Sequence, residues 1–281
     1  MKTKYLIPEK LLSGLFLYLS LLPFAGHGQG NLMLFPKRIV FEGQKRTEQL
    51  LLVNSSDDTA NYIISLIEFR MKEDGSMEKL NIPDSGQQFA DSFFRFFPRH
   101  VVLGPKETQT VKLQLTKNSQ LKAGEYRSHL YIRSEKQEEI AGDNRTKKDS
   151  NISISIIPIF GFSIPVIIRV GEYNTKVEVS ESRLELVNDT VPILRLKFTR
   201  NGNMSCYGDI KVNYISPKGK RIEAGEINGV AIYTPTAARQ LQLELNHNKG
   251  IDYRLGNLEI TYAEKAPGKT VFATKTLLLH D

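Results

Sequence analysis

The sequence predicts an all-β protein: two β-sandwich domains in tandem, preceded by a signal peptide. Three observations predict it. Short apolar or alternating segments recur from Leu32 onward, separated by turn-forming residues. No convincing helical period interrupts the first series. The pattern then restarts after Gly171 and runs to Leu279.

The elements justify this in order. Lys2, Lys4 and Lys10 form a basic start, and "LLSGLFLYLSLLPFA" from Leu11 to Ala25 is an apolar stretch too short to span a bilayer with confidence. Gly26 and Gly28 place small residues before a cleavage point after Gly28, with Gly30 as the alternative. The first domain, residues 31–170, then offers "LMLF", "RIVFEG", "TEQLLLVNSS", "NYIISLIEFRM", "FFRFFPRHVVL", "TQTVKLQLT", "GEYRSHLYIR" and a closing apolar strand. Asn54–Asp58, "KEDGS", Gly104-Pro105 and Ala123-Gly124 punctuate them. Ser134–Ser150, "SEKQEEIAGDNRTKKDS", buries too little apolar surface to offset ordering entropy and reads as a long mobile loop. The second domain, residues 171–281, offers "TKVEVSE", "RLELVN", "PILRLKFTR", "CYGDIKVNYIS", "RIEAGEINGVAIYT", "RQLQLELN", "GNLEITYAE" and "TVFATKTLLL". Such counts and spacings fit immunoglobulin-like sandwiches. With one cysteine and no tryptophan, neither is of the antibody type.

Composition narrows the chemistry. The formal charge is +7; removing three Lys and Glu9 with the leader gives 7 − 3 + 1 = +5. Lys and Arg are scattered, without the aromatic-interleaved basic cluster of a nucleic-acid surface. Cys206 stands alone, so no internal disulfide forms, and it reads as a buried thiol. His100, His129, His247 and His280 make no metal-ligand spacing, and no nucleophile-elbow or nucleotide-binding motif occurs. The reading is a binding protein, not an enzyme, with no cofactor, nucleotide or metal.

One strand raises a question. "NISISIIPIFGFSIPVIIR", Asn151–Arg169, alternates polar and isoleucine residues and then stays apolar. If exposed, it is an aggregation hazard. On a strand Ile152, Ile154 and Ile156 share one face, and Phe160 continues their parity beyond Pro158. Either this is an ordinary core strand, or it is an edge strand that lends alternating side chains to another chain by β-augmentation.

The residues "PKRIVFEG", "LLLVNSS", "FFPRHVVLGPKETQTVKLQL", "GEYRSHLYI" and "FGFSIPVIIR", in this order and spacing, resemble the periplasmic pilus-assembly chaperones of the chaperone–usher pathway. The second half, with "GNMSCYGDI" and "GVAIYTP", resembles a divergent branch of that family. The resemblance implies a periplasmic protein that donates a strand, carrying Ile152, Ile154, Ile156 and Phe160, to a pilus or fibre subunit lacking its last strand, and passes the complex to an outer-membrane usher. It implies that Arg38 binds the subunit's C-terminal carboxylate, with Lys37 pointing to the opposite face. Where the family has a second anchoring lysine this chain has Pro165, and Arg169 further along is the candidate substitute. Arg127 matches a neighbouring family position with an expected structural role. The alternative reading is a secreted sandwich protein that is itself part of a surface fibre.

Overall fold

The computed structural model describes residues 32–116, 118–135, 160–248, 250–265 and 270–279. The leader, nearly all of the charged loop, and Ile152, Ile154 and Ile156 lie outside these residues.

In chain order the first set of strands is β1 (Leu32–Phe35), β2 (Ile39–Phe41), β3 (Thr47–Asn54), β4 (Ala60–Met71), β5 (Met77–Leu80), β6 (Phe94–Phe97), β7 (His100–Leu103), β8 (Thr108–Leu115), β9 (Gly124–Ser134) and β10 (Gly161–Val170). The second set is β11 (Thr175–Val187), β12 (Val191–Gly202), β13 (Cys206–Ile215), β14 (Arg221–Ile232), β15 (Ala238–Glu244), β16 (Gly256–Ala263) and β17 (Val271–Leu279). A four-stranded sheet β1-β3-β8-β6 faces a six-stranded sheet β2-β10-β9-β4-β5, in which β7 also pairs with β4. The second set forms sheets β11-β12-β15 and β14-β13-β16-β17. These are two immunoglobulin-like sandwiches in tandem.

Alternation builds each core. Leu50 and Leu52 of β3 and Val111 and Leu113 of β8 point inward against Leu130 and Ile132 of β9. Each such side chain contributes about 1.5–3 kcal/mol of burial. Phe198, Ile210, Val212, Tyr214 and Tyr262 do the same in the second sandwich. The turn read at Asn54–Asp58 has a buried organiser: Asn54 Nδ2 donates to the carbonyls of Asp58 (2.7 Å) and Gly104 (2.9 Å), and its Oδ1 accepts from Ser56 Oγ (2.6 Å).

Two local expectations change. "FFRFFPRHVVL" is two strands in different sheets: β6 pairs β8 and β7 pairs β4, with the crossing at Pro98. Proline has no amide to give a ladder, which suits a crossing point. Conversely, "TKVEVSE" and "RLELVN" form the single strand β11, whose pairing with β12 slips by a bulge between Val179 and Glu181. The exposed polar residues there mimic a turn in the sequence.

A third, small core joins the sandwiches. Met71, Ile167, Ala231 and Tyr233 bury one another, with Val40 and Tyr207 packed against them. The β4–β5 hairpin clamps this junction. Gln240 N donates to Glu73 O and Thr236 Oγ1 to Met71 O, both at 2.6 Å. The Arg239 guanidinium occupies the space that a side chain at Gly75 would need.

Candidate functional site

Strand β10 organises the site. Phe162, Ile164, Val166 and Ile168 face the first core. The alternate residues Ser163, Pro165, Ile167 and Arg169 face the second sandwich, where Ile167 enters the junction core. On one edge β10 pairs antiparallel with β9 along its whole length, Gly161↔Arg133 to Val170↔Gly124. On the other edge β2 pairs in parallel, and only through Val166↔Ile39 to Ile168↔Phe41. Among the described residues, no strand pairs with Gly161–Ile164 on that side.

Arg38 immediately precedes β2, so the register sets it level with Pro165 at the end of this free edge. Its guanidinium carbon lies 4.2 Å from the Tyr207 ring centroid. Its Nε is buried without a hydrogen-bond partner. Burial pushes the guanidinium below its ordinary value, and the nearby Arg169 pushes the same way. Lys37 is exposed.

Arg169 shares the face of Arg38 but its donors are taken. Nε lies 3.2 Å from Glu125 Oε2, and Nη2 donates to Ser205 O at 2.7 Å. Glu125 Oε2 also accepts from Ser205 N (2.9 Å) and Ser205 Oγ (2.6 Å), so the pair ties the first sandwich to the second. Of the strand-donor candidates, Phe160 is described: it is 40% exposed and its carbonyl accepts from Ser134 N at 3.0 Å.

Beside these lies a polar stripe that sequence reasoning did not absorb. Glu125, Arg127 and His129 alternate on β9 and are all buried. Arg127 is 2% exposed, and its guanidinium lies 4.2 Å from the Tyr233 ring centroid. Its Nη2 donates to Phe69 O at 3.1 Å, while Nε and Nη1 have no partner. Burial pushes Arg127 below its ordinary value. It also takes His129 down to about 3, with Arg127 adding to the effect. On the opposite face of the sheet Glu68 is pushed up to about 7 by burial. The signal was available: an acid, a base and a histidine at i, i+2 and i+4 within "GEYRSHLYIR" put three polar groups on one side of a strand.

The junction thus carries an excess of positive charge. Arg38, Arg127, Arg169 and Arg200 all lie within electrostatic reach of Glu125. Arg200 is satisfied by the carbonyls of Thr236, Gly202 and Met204. Glu125 is taken by Arg169 and Ser205. The arrangement suits an anion, since a guanidinium with free edges binds a carboxylate through two parallel hydrogen bonds. Among the described residues, no group of His, Cys, Asp and Glu side chains could hold a metal ion. Cys206 is a buried free thiol, pushed up by burial. No helix among the described residues is long and apolar enough to cross a membrane.

No protein-family model matches the chain, and no curated protein matches it. Among solved structures the chain is similar to fimbrial chaperones. The class 5 fimbriae chaperone CfaA matches at 12% identity and a TM-score of 0.43, over 89% of this chain and 100% of that one. The CupB2 chaperone of Pseudomonas aeruginosa matches at 11% identity and a TM-score of 0.41, over 88% and 100%. A structure of the Salmonella enterica SafA pilin in complex with the SafB chaperone matches at 13% identity and a TM-score of 0.41, over 90% and 98%.

Proposed function

We propose that this chain is a periplasmic chaperone that holds pilus or surface-fibre subunits by lending them a β-strand, and delivers them to an outer-membrane usher. In this reading residues 1–28 are a cleaved leader, 31–170 the strand-lending domain and 171–281 the second wall of the cleft. Ile152, Ile154, Ile156 and Phe160 fill the subunit's groove, and Arg38 takes its C-terminal carboxylate.

The observation that carries this is the edge of β10 that no described residue pairs, Gly161–Ile164, which runs toward Arg38. A client strand added there lies in line with β2, because β2 already occupies the same edge from Val166 onward. Its end therefore abuts Arg38. A client parallel to β10 presents its C-terminus at that point, and an antiparallel one its N-terminus. The surplus of cations favours the carboxylate, and therefore the parallel arrangement. Main-chain hydrogen bonds along the edge supply affinity, and the alternating side chains supply fit. Covering the client's open sheet edge suppresses its aggregation.

The test is co-purification from periplasm with tagged wild type and Ile154→Asp, the bound proteins identified by mass spectrometry. Wild type should retain a small β-rich secreted subunit that the folded variant loses. Equal retention by both would refute strand lending through this segment.

A further inference from the structure

Gly161 is the first residue of β10 and of its unpaired edge. Its φ does not lie in the left-handed region, so the backbone itself does not demand glycine. A glycine within a strand otherwise marks a place where another group comes close. Here that group is Tyr131. The hydroxyl end of its ring occupies the space that a side chain at Gly161 would need. Tyr131 is paired with Ser163, so it reaches Gly161 by leaning diagonally across the sheet. β9 flanks β10 on one side, and the unpaired edge lies on the other. A ring rooted on β9 with its tip over β10 therefore aims its hydroxyl at that edge. An aromatic ring laid over a strand glycine shields it, but shielding uses the ring alone. The hydroxyl is spare: it makes no hydrogen bond among the described residues. Ser163, next on the same face of β10, is exposed.

We propose that Tyr131 selects the client strand, its hydroxyl bonding a short hydroxyl or carboxamide side chain of the client residue that lies level with Gly161. This rests on the reading that a client strand pairs with Gly161–Ile164. That strand runs about 4.8 Å from β10, close enough for its side chains to meet the ring tip. Its residues alternate between two environments. On one face they meet the apolar Phe162 and Ile164 of the first core. On the other they meet Tyr131 over Gly161, and then Ser163. Threonine suits the second face, since it forms strands readily and pairs with hydroxyls across them. A large apolar side chain there leaves the Tyr131 hydroxyl unmatched.

The experiment measures binding to the full mature chain by fluorescence anisotropy. The probe is a labelled peptide of alternating valine and threonine with a free carboxylate. Each threonine is replaced in turn by valine, which has the same shape without the hydroxyl. Wild type should lose about fivefold in affinity at one threonine position, the worth of one hydrogen bond. Tyr131→Phe should bind the parent peptide about fivefold more weakly and no longer distinguish threonine from valine at that position. It keeps the ring over Gly161, so its Tm should match wild type. Gly161→Ala, which takes the ring's space, should lose the same discrimination. A Tyr131→Phe protein that discriminates as wild type does overturns the inference, as does a wild type that binds all the peptides equally; strand lending stands in both cases. If wild type binds none of the peptides, the inference also fails. Strand lending is then judged separately, by whether wild type but not Ile154→Asp retains a subunit.

Discussion

Glu125→Ala tests how the two sandwiches are held together. The carboxylate side chain is 0% exposed and its partner Arg169 is 13% exposed. Oε2 accepts from Arg169 Nε at 3.2 Å, Ser205 N at 2.9 Å and Ser205 Oγ at 2.6 Å, and Oε1 lies 3.4 Å from Thr234 Oγ1. Removing it strands a buried guanidinium and the Ser205 amide together. Breaking a buried pair from one side costs about 3–5 kcal/mol. For a chain of this size that is a fall in Tm of roughly 6–20 °C, at about 2–4 °C per kcal/mol. Calorimetry and urea unfolding would measure it. Because Ser205 and Thr234 belong to the second sandwich, the variant should also split one unfolding transition into two. Glu125→Gln keeps an acceptor and should lose less, about 1–3 kcal/mol. A Glu125→Ala loss below about 1 kcal/mol, the range of exposed ion pairs, would refute the claim that this carboxylate holds the junction.

Three further outcomes are expected. Arg38→Ala should abolish client retention yet shift Tm by less than about 3 °C, since the guanidinium makes a ring contact but no ion pair among the described residues; a large Tm loss would make Arg38 structural. The pH dependence of stability should show two opposed contributions. Folded Glu68 keeps its proton from pH 4.5 to about 7 while the unfolded chain has lost it, so stability falls as pH rises there. Folded His129 stays neutral down to about pH 3 while the unfolded chain binds a proton below 6.5, so stability rises with pH in that window, by up to about 5 kcal/mol. Thermal scans of Glu68→Gln should lose the decline toward neutral pH, and scans of His129→Gln the rise from acid; unchanged profiles would refute both assignments. Finally, Gly75→Val should cost about 1–3 kcal/mol, because φ is +83° and the side chain must displace Arg239; calorimetry reading no loss would show that the hairpin clamp is dispensable.

Most strands were legible because inward alternation is a local signal. "TQTVKLQLT" and "GEYRSHLYIR" became β8 and β9 with little change. The split of β6 from β7 was not legible, because which sheet a strand joins depends on partners far along the chain. The site divides the same way. Arg38 could be singled out from "PKRIVFEG", but the engagement of Arg169 could not. Its partner Glu125 is 44 residues away, and the Ser205 that completes the set is 80 residues from Glu125. Ser205 sits in "GNMSCYGDI", where nothing local marks it as the acceptor and donor that closes a domain junction. The polar stripe on β9 was visible as a pattern; that it is buried became clear only once the second sandwich covered it.

In the proposed function, free edge and cationic cleft act as one device, because β10 separates them by face and joins them by length. Its core-facing residues continue, through Phe162, the parity of Phe160, so a strand borrowed along this edge extends the first core outward. Its other face carries Pro165, Ile167 and Arg169 into the junction, beside Arg38 and Arg127. In the proposed function a client strand would therefore meet apolar side chains along its length and charge only at its tip. Apolar burial is nondirectional and tolerates a slip in register, whereas a carboxylate held at a fixed cation does not. A chaperone that relied on the edge alone would hold its client in several registers. In that reading, a carboxylate held at Arg38, level with Pro165, selects one of them.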